Sequence, residues 1–421
     1  MATVDTLIDN FDDNSLDTGK WTATTVTGST LSETGGEIAI TLPASPNTGY
    51  SFIESSALDL TSSSAYVQMT TRPAATSGTE QAIQLRLDSS NYLGFRLYPT
   101  QLEMSYVVGG SSFATTISRD DRTHVWFRIR EFNGFVYWET SGDKSSWTLQ
   151  RRELAQFNIS LVKVRLHAGT WQTVASPGTA SFDNFNSDAT PLVNTAEGQP
   201  DGTTLTAANS GGGSGDSFAT VTVTGSLAVT YSTDMSMYGT QCYKVVPSSS
   251  TALYIRPSTS GAYCGSCQLY IYLPTYADNN QQFVAIYSAG GYYLATLNVN
   301  QSGSIRVNNR AGTNLHASAA STMPTSQWVR IDVAVMAGSG TTDGRIVAQA
   351  STMNSFTPFW SFDSGYTTNT GTDTIAEYRI GKLDTTPNIA LFYLDQLAWR
   401  SGMIAFIGPP TTTASSAWLT A

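Results

Sequence analysis

The chain has 421 residues and a formal net charge of −10 at neutral pH, and only 13% of its residues are charged, against the ~25% usual for globular domains. That balance disfavours sequence-independent binding to nucleic acid, which needs a basic face, and docking on anionic membranes. Aromatic residues reach 11% and β-branched residues are plentiful, which excludes a disordered chain and favours pleated, half-buried surfaces.

The opening Met1-Ala-Thr-Val-Asp5 has neither the basic nor the apolar stretch of a secretory signal. No apolar run approaches the ~18 residues of a membrane span. Synthesis in a cytosol, without membrane insertion, is therefore expected, with any export by another route such as lysis.

Alternation of apolar and polar residues with period two recurs along the chain. It covers Ala82–Leu87, Val125–Arg130, Leu161–Leu166 and Trp328–Val335. Turn-forming clusters separate these runs: Asp88–Asn91, Gly109–Ser112, Asn133-Gly134, Ser141–Lys144 and Ala289–Gly291. Asn133-Gly134 is a strong signal for a type I′ hairpin. No long run carries a helical period, so the chain reads as all-β.

The two halves repeat one another in order. Leu85–Leu97 has the strand–turn–strand shape of Phe283–Leu297, His124–Arg130 matches Ser326–Asp332, and Val164–Gly169 matches Tyr378–Lys382. Phe182–Phe185 closes the first half as Tyr393–Leu397 closes the second. Each half is thus one domain rather than a short solenoid repeat. The reading is a first domain over 1–188, a linker over 189–193 containing Pro191, a second domain over 194–408, and a C-terminal extension over 409–421. The Gly/Ser run Asn209–Asp216 reads as a loop early in the second domain. The extension cannot form a core, and Trp418 and Leu419 are its expected docking anchors on a neighbour.

Three cysteines are present: Cys242, Cys264 and Cys267. A zinc site would need a second pair of ligands beside Cys264-Gly-Ser-Cys267. Ordinary thiols in or beside strands are expected, with a disulfide from Cys242 to one of the pair as the alternative.

Side chains alternate across a strand. Leu85, Leu87, Leu93, Phe95, Leu97, Val125, Phe127, Ile129, Val162, Val164 and Leu166 then point inward. Arg86, Tyr92, Arg96, Tyr98, Trp126, Arg128, Arg130, Lys163, Arg165 and His167 point outward and are expected to share one non-core face. The second half has Trp328, Arg330, Arg306 and Arg379 at comparable places. Aromatic faces stack on sugars and Arg forks grip carboxylates or hydroxyls. The candidate carbohydrate- or partner-binding residues are accordingly Arg86, Tyr92, Arg96, Trp126, Arg128, Arg165, His167, Trp328, Arg330 and Arg379. The alternative is ordinary cross-strand pairing on a solvated sheet. None of the three histidines, His124, His167 and His316, sits in a Ser/His/Asp or metal-hydrolase motif.

The opening Asp9–Asp17 with Trp21, the closing Phe182–Phe185 and the hairpin Val136–Trp147 resemble the laminin-G/concanavalin-like domains. In the second half Asn194–Gly198, the Gly/Ser loop and Tyr393–Asp395 carry the same resemblance. It implies two tandem antiparallel concanavalin-like jelly-roll β-sandwich domains, a fold that serves lectins, hydrolases and structural proteins alike. Glycoside hydrolases of this kind carry a Glu-x-Asp-x-x-Glu-like cluster. Glu139 and Asp143 do not match it, so no catalytic residue and no enzyme activity is expected. Carbohydrate-binding relatives often share a structural Ca²⁺ between an acidic residue near the domain start and one on the closing strand. The matching positions are Asp12 with Asp183 and Glu197 with Asp395; otherwise these acids cap turns or pair with Arg or Lys. Tandem modules of this type without a signal peptide are similar to minor tail proteins of tailed bacteriophages. That similarity implies a virion location, other virion proteins as partners, homo-oligomerisation and contact with a host-surface glycan. The alternatives are a free pair of lectin modules and a polysaccharide-degrading enzyme.

Overall fold

The computed structural model describes residues 1–408 other than 75, 224–227, 247–252, 258–261, 354, 356 and 384–390. Strand accounts for 51% of the chain and helix for 2%, so the all-β reading holds. The chain divides into two compact units at Thr190/Pro191.

The first unit stacks two antiparallel sheets. The front sheet runs through Trp21–Thr24, Gly49–Leu58, Val162–Thr170, Thr79–Arg86, Tyr92–Leu97, Gln101–Val108 and Thr115–Ser118. The back sheet runs through Thr148–Leu154, Phe135–Ser141, Trp126–Phe132, Ser64–Met69, Thr179–Asp183, Glu37–Thr41 and Thr30–Thr34. Each sheet joins hairpin neighbours, such as Thr79–Arg86 with Tyr92–Leu97, to pairs from distant parts of the chain, such as Gly49–Leu58 with Val162–Thr170, as a jelly roll requires. Alternation decides what each strand buries. In Thr79–Arg86 the side chains of Ile83 and Leu85 are fully buried in the core, while Glu80, Ala82, Gln84 and Arg86 alternate onto the outer face. The core closes on aromatic contacts such as Phe95 with Phe127, whose ring centroids lie 5.2 Å apart across the two sheets. Asn133 and Gly134 take φ of 54° and 79°, both positive as a type I′ turn demands, and Phe132 pairs with Phe135.

The second unit follows the same path strand for strand. Its sheets run Ala228–Ser232, Cys242–Val246, Phe392–Ser401, Cys264–Tyr272, Trp328–Met336, Arg345–Thr352, Trp360–Asp363, and Phe218–Val223, Leu253–Pro257, Ile375–Lys382, Gln281–Ser288, Tyr293–Val299, Ile305–Asn309, Asn314–Ala317. Trp328–Met336 takes the place of Trp126–Phe132, and Ile375–Lys382 that of Val162–Thr170. The sequence repeat is therefore a repeat of topology.

One detail differs from the sequence reading. Leu192 and Val193, expected in a linker, are strand residues paired with Trp399 and Ala398; a proline at 191 ends the preceding segment but leaves the next residues free to join a sheet. Cys264 and Cys267 lie three apart in one strand, so they face opposite sides of the sheet. They and Cys242 are free and buried, as ordinary thiols. Trp418 and Leu419 lie outside the described residues.

Candidate functional site

The outer face of the front sheet carries the most developed site. Register pairs Gly169 with both Tyr50 and Glu80, and pairs Ala82 with both His167 and Arg96. Tyr50, Glu80, Arg96 and His167 are thereby neighbours on one face. Gly169 lies between Tyr50 and Glu80. A Cβ there would stand 2.0 Å from the Gly49 carbonyl oxygen and 2.7 Å from Tyr50 Cα, so only glycine fits and the floor stays open. The loops add a wall. Together they form a cleft of ≈ 580 Å³ lined by Tyr50, Glu80, Arg96, Tyr98, Gln101 and Trp171, among others. Trp171 is 45% exposed and meets Tyr98 edge-on at 5.3 Å.

The floor is a charged network. The Glu80 side chain is 1% exposed. Its Oε1 accepts from Arg96 Nε at 3.0 Å and its Oε2 from Arg96 Nη2 at 2.8 Å. His167 Nε2 lies 2.9 Å from the same Oε1. Arg96 Nη1 also donates to Glu103 Oε1 at 3.3 Å. Burial alone would push the Glu80 carboxyl up. The His167 hydrogen bond and the Arg96 guanidinium outweigh it and hold Glu80 down at about 2. Burial pushes His167 below the usual histidine value, and because the ionised Glu80 carboxylate can only accept, the 2.9 Å contact requires the proton on Nε2. The other nitrogen, Nδ1, is buried without a hydrogen-bond partner. Burial, reinforced by Glu80, pushes the Tyr50 hydroxyl up to about 12 and the Tyr98 hydroxyl up as well, so both stay protonated at physiological pH. The site thus offers fixed hydroxyls, a rigid guanidinium–carboxylate pair and exposed aromatic surface side by side.

No family model matches the chain, and no curated protein sequence matches it. Solved structures do. Domains LG4-5 of the mouse laminin alpha1 chain are 11% identical, with 94% of this chain and 94% of that chain covered and a TM-score of 0.24. The cellulose induced protein Cip1 is 12% identical over 43% of this chain and 91% of that one, with a TM-score of 0.33. The CBM22-1 xylan-binding domain of Paenibacillus barcinonensis Xyn10C is 11% identical over 52% of this chain and 97% of that one, with a TM-score of 0.26. These likenesses reach no further than the fold.

The chain is a tandem of antiparallel jelly-roll β-sandwiches.

Of the residues singled out from sequence, Arg86, Tyr92, Arg96, Arg165 and His167 do share the front-sheet face of the first sandwich. Trp126 and Arg128 do not. Their strand belongs to the back sheet, because alternation tells which side of its own sheet a residue faces and not which sheet the strand joins. Trp126 is fully buried with Lys144 Nζ 4.8 Å from its ring. Arg128 donates to Glu139 Oε2 at 2.7 Å and stacks 4.1 Å from the Trp147 ring. In the second sandwich Trp328 and Arg330 occupy the sheet equivalent to the back sheet, and Arg379 the sheet equivalent to the front. Arg330 is 1% exposed and bonded to Asp332 at 2.9 Å, so it is an internal ion pair and not a contact surface. Arg379 is half-buried, bonded to Glu377 at 2.7 Å and 3.7 Å from the Tyr287 ring. Glu80, Tyr50, Gly169 and Trp171 complete the cleft without having been singled out from sequence.

The calcium positions divide. In the second sandwich Glu197 is saturated by Thr240 N–H and O–H, each at 2.8 Å, and by Gln241 N–H at 2.9 Å. Asp395 accepts from Met237 and Gln396 N–H, each at 2.7 Å. These acids accept from turn backbone groups, while burial, with Glu197 nearby, pushes the Asp395 carboxyl up to about 7. In the first sandwich Asp183 is pushed up to about 8 by burial and by the facing Asp12 and Glu37 carboxylates, and no cationic side chain is paired to it among the described residues. That surplus of negative charge suits a hard cation. Among the described residues no three acidic, His or Cys side chains cluster there, so any cation would draw its remaining ligands from carbonyl oxygens or water.

Proposed function

We propose that the protein binds a glycan and that the cleft of the first sandwich is the site. The observation that carries this reading is the exposed Trp171–Tyr98 wall beside the immobilised Glu80–Arg96–His167 floor. An aromatic face packs on the apolar face of a sugar ring. Pre-oriented polar groups then discriminate hydroxyls at low entropic cost. A glycan array probed with the intact protein tests it. Binding to a defined set of sugars, lost in Trp171→Ala and kept in Trp328→Ala, supports the reading; no binding across the array contradicts it.

The reading is of binding without turnover. A glycosidase needs one carboxylic acid that is protonated near neutral pH. Glu80 is held ionised by Arg96, and Glu103, the next carboxylate, shares the same guanidinium. Release of reducing sugar from a bound glycan, abolished by Glu80→Gln, would overturn it.

The virion role is a further part of the proposal. It rests on the tandem arrangement and on the resemblance to phage minor tail proteins, with other virion proteins as partners and copies of the chain associating with one another. Immunodetection of the chain in purified particles, and its mass in solution, test those two statements.

A further inference from the structure

The face that holds the cleft continues along the same strands to a cationic end. Register places Lys163, Arg86 and Tyr92 side by side across three strands, with Arg165 two residues from Lys163 on its strand. Arg165 is committed: its Nη2 lies 2.7 Å from Glu54 Oε1, and its guanidinium lies 3.8 Å from the Phe52 ring. Lys163 reaches the same carboxylate only at 3.4 Å and is 48% exposed. Among the described residues Arg86 makes no ion pair at bonding distance, and Glu54 and Asp88 act on it only through space. Its Nη1 donates to Gln84 Oε1 at 2.7 Å, and its guanidinium lies 4.7 Å from the Tyr92 ring centroid. The nearby Asp88 is engaged by Ser90 N–H at 2.7 Å and by Asn91. Three cations, Lys163, Arg165 and Arg86, therefore stand against two carboxylates, Glu54 and Asp88, a local positive excess on a chain whose overall charge is −10.

An arginine fixed on an aromatic ring with most of its N–H fork unused is a receptor for a planar or tetrahedral oxyanion. Burial and the charge of Arg165 depress the Arg86 guanidinium, so an arriving anion relieves an existing penalty. Glu80 and Arg86 lie on the same side of one strand, six residues and roughly 20 Å apart. A polysaccharide lying along the sheet can fill the cleft and reach Arg86.

Resting on the glycan reading above, we infer that the ligand is an acidic polysaccharide, with a carboxylate or sulfate seated on Arg86 and Lys163 while a neighbouring sugar occupies the cleft.

Calorimetric titration with matched pairs tests this: a uronic-acid oligosaccharide against its carboxyl-reduced form, and a sulfated galactan oligosaccharide against its desulfated form. The acidic member of at least one pair is expected to bind about tenfold tighter at low salt, and the pair that shows it identifies the anion. Arg86→Gln should abolish that preference and leave neutral binding within about twofold. Trp171→Ala should weaken both members, and Arg152→Gln, a cation of the back sheet, neither. Should Arg86→Gln fail to fold, the wild-type salt dependence decides: affinity for the acidic member must fall with salt, and affinity for the neutral one must not. Equal binding of both members, or a preference that survives Arg86→Gln, overturns the inference while Trp171-dependent binding keeps the cleft. Absence of binding to all four overturns both.

Discussion

Arg96 grips Glu80 with two parallel hydrogen bonds, Nε to Oε1 at 3.0 Å and Nη2 to Oε2 at 2.8 Å. The carboxylate is buried and the guanidinium is partly open to the cleft. This fork-to-fork geometry fixes both side chains, and His167 fixes the carboxylate from the other side. The floor is rigid before any ligand arrives.

Removing one partner of such a pair leaves the other uncompensated. Glu80→Gln is expected to destabilise the first sandwich by about 3 kcal/mol, at the low end for a broken buried pair because Arg96 keeps some solvent. Arg96→Lys should lose most of the same stability, since an ammonium cannot make the double contact. Urea unfolding of the two variants checks both; costs below about 1 kcal/mol would mean that the pair is not a structural element.

The pair also predicts acid sensitivity. The Glu80 carboxyl lies near 2 in the folded state and near 4.3 in an unfolded chain. A depressed acid stabilises the fold above its unfolded value, and that contribution disappears as pH falls through the folded value. The melting temperature of the wild type should therefore drop between about pH 4.5 and pH 2 more steeply than that of Glu80→Gln. Parallel curves would contradict the assignment.

Asp183 has the opposite sign. Its folded carboxyl lies near 8 and its unfolded one near 3.9. The folded state holds this proton more tightly, so each unit of pH between those values weakens the fold. In chelator, Asp183→Asn should gain stability over wild type as pH rises from about 4 to 8. If calcium sits at Asp12 and Asp183, adding it should restore the wild type at pH 8 and leave Asp183→Asn unmoved. Equal response of both proteins to calcium would place the ion elsewhere.

Cys242, Cys264 and Cys267 are buried thiols, and burial pushes the Cys242 thiol up to about 12 and Cys267 higher. Thiolate is the reactive form. The native protein should react with a thiol reagent far more slowly than the denatured one, which should titrate three thiols without reductant. Fewer than three would reveal a disulfide.

Much of this architecture was legible in the residues themselves. Alternation assigned Leu85, Phe127 and Ile129 to the core correctly, whereas Leu87 and Val125, at strand ends, are only half-buried, and Asn133-Gly134 fixed a hairpin. The match of His124–Arg130 to Ser326–Asp332 reflected a real equivalence of strands. The site was legible only in part, for a physical reason. Arg96 and His167 lie on strands with clean alternation, but which strands become neighbours is set by long-range pairing. Trp126 and Arg128 were therefore grouped with residues of the opposite sheet. Glu80 stood in the same alternation as Arg86 and could have been picked out as a carboxylate entering a buried strand. Trp171 comes from a loop and Gly169 acts through the side chain it lacks, and neither leaves a periodic trace.

The central claim is that a sugar sits against Trp171 above the Glu80–Arg96 floor. Its most direct test follows the indole N–H resonances of the nine tryptophans during titration with an oligosaccharide ligand. The account predicts that the Trp171 signal shifts first and saturably, and that the shift disappears in Trp171→Phe while the remaining indoles stay still. Saturable binding that moves other indoles and leaves Trp171 unchanged would contradict it.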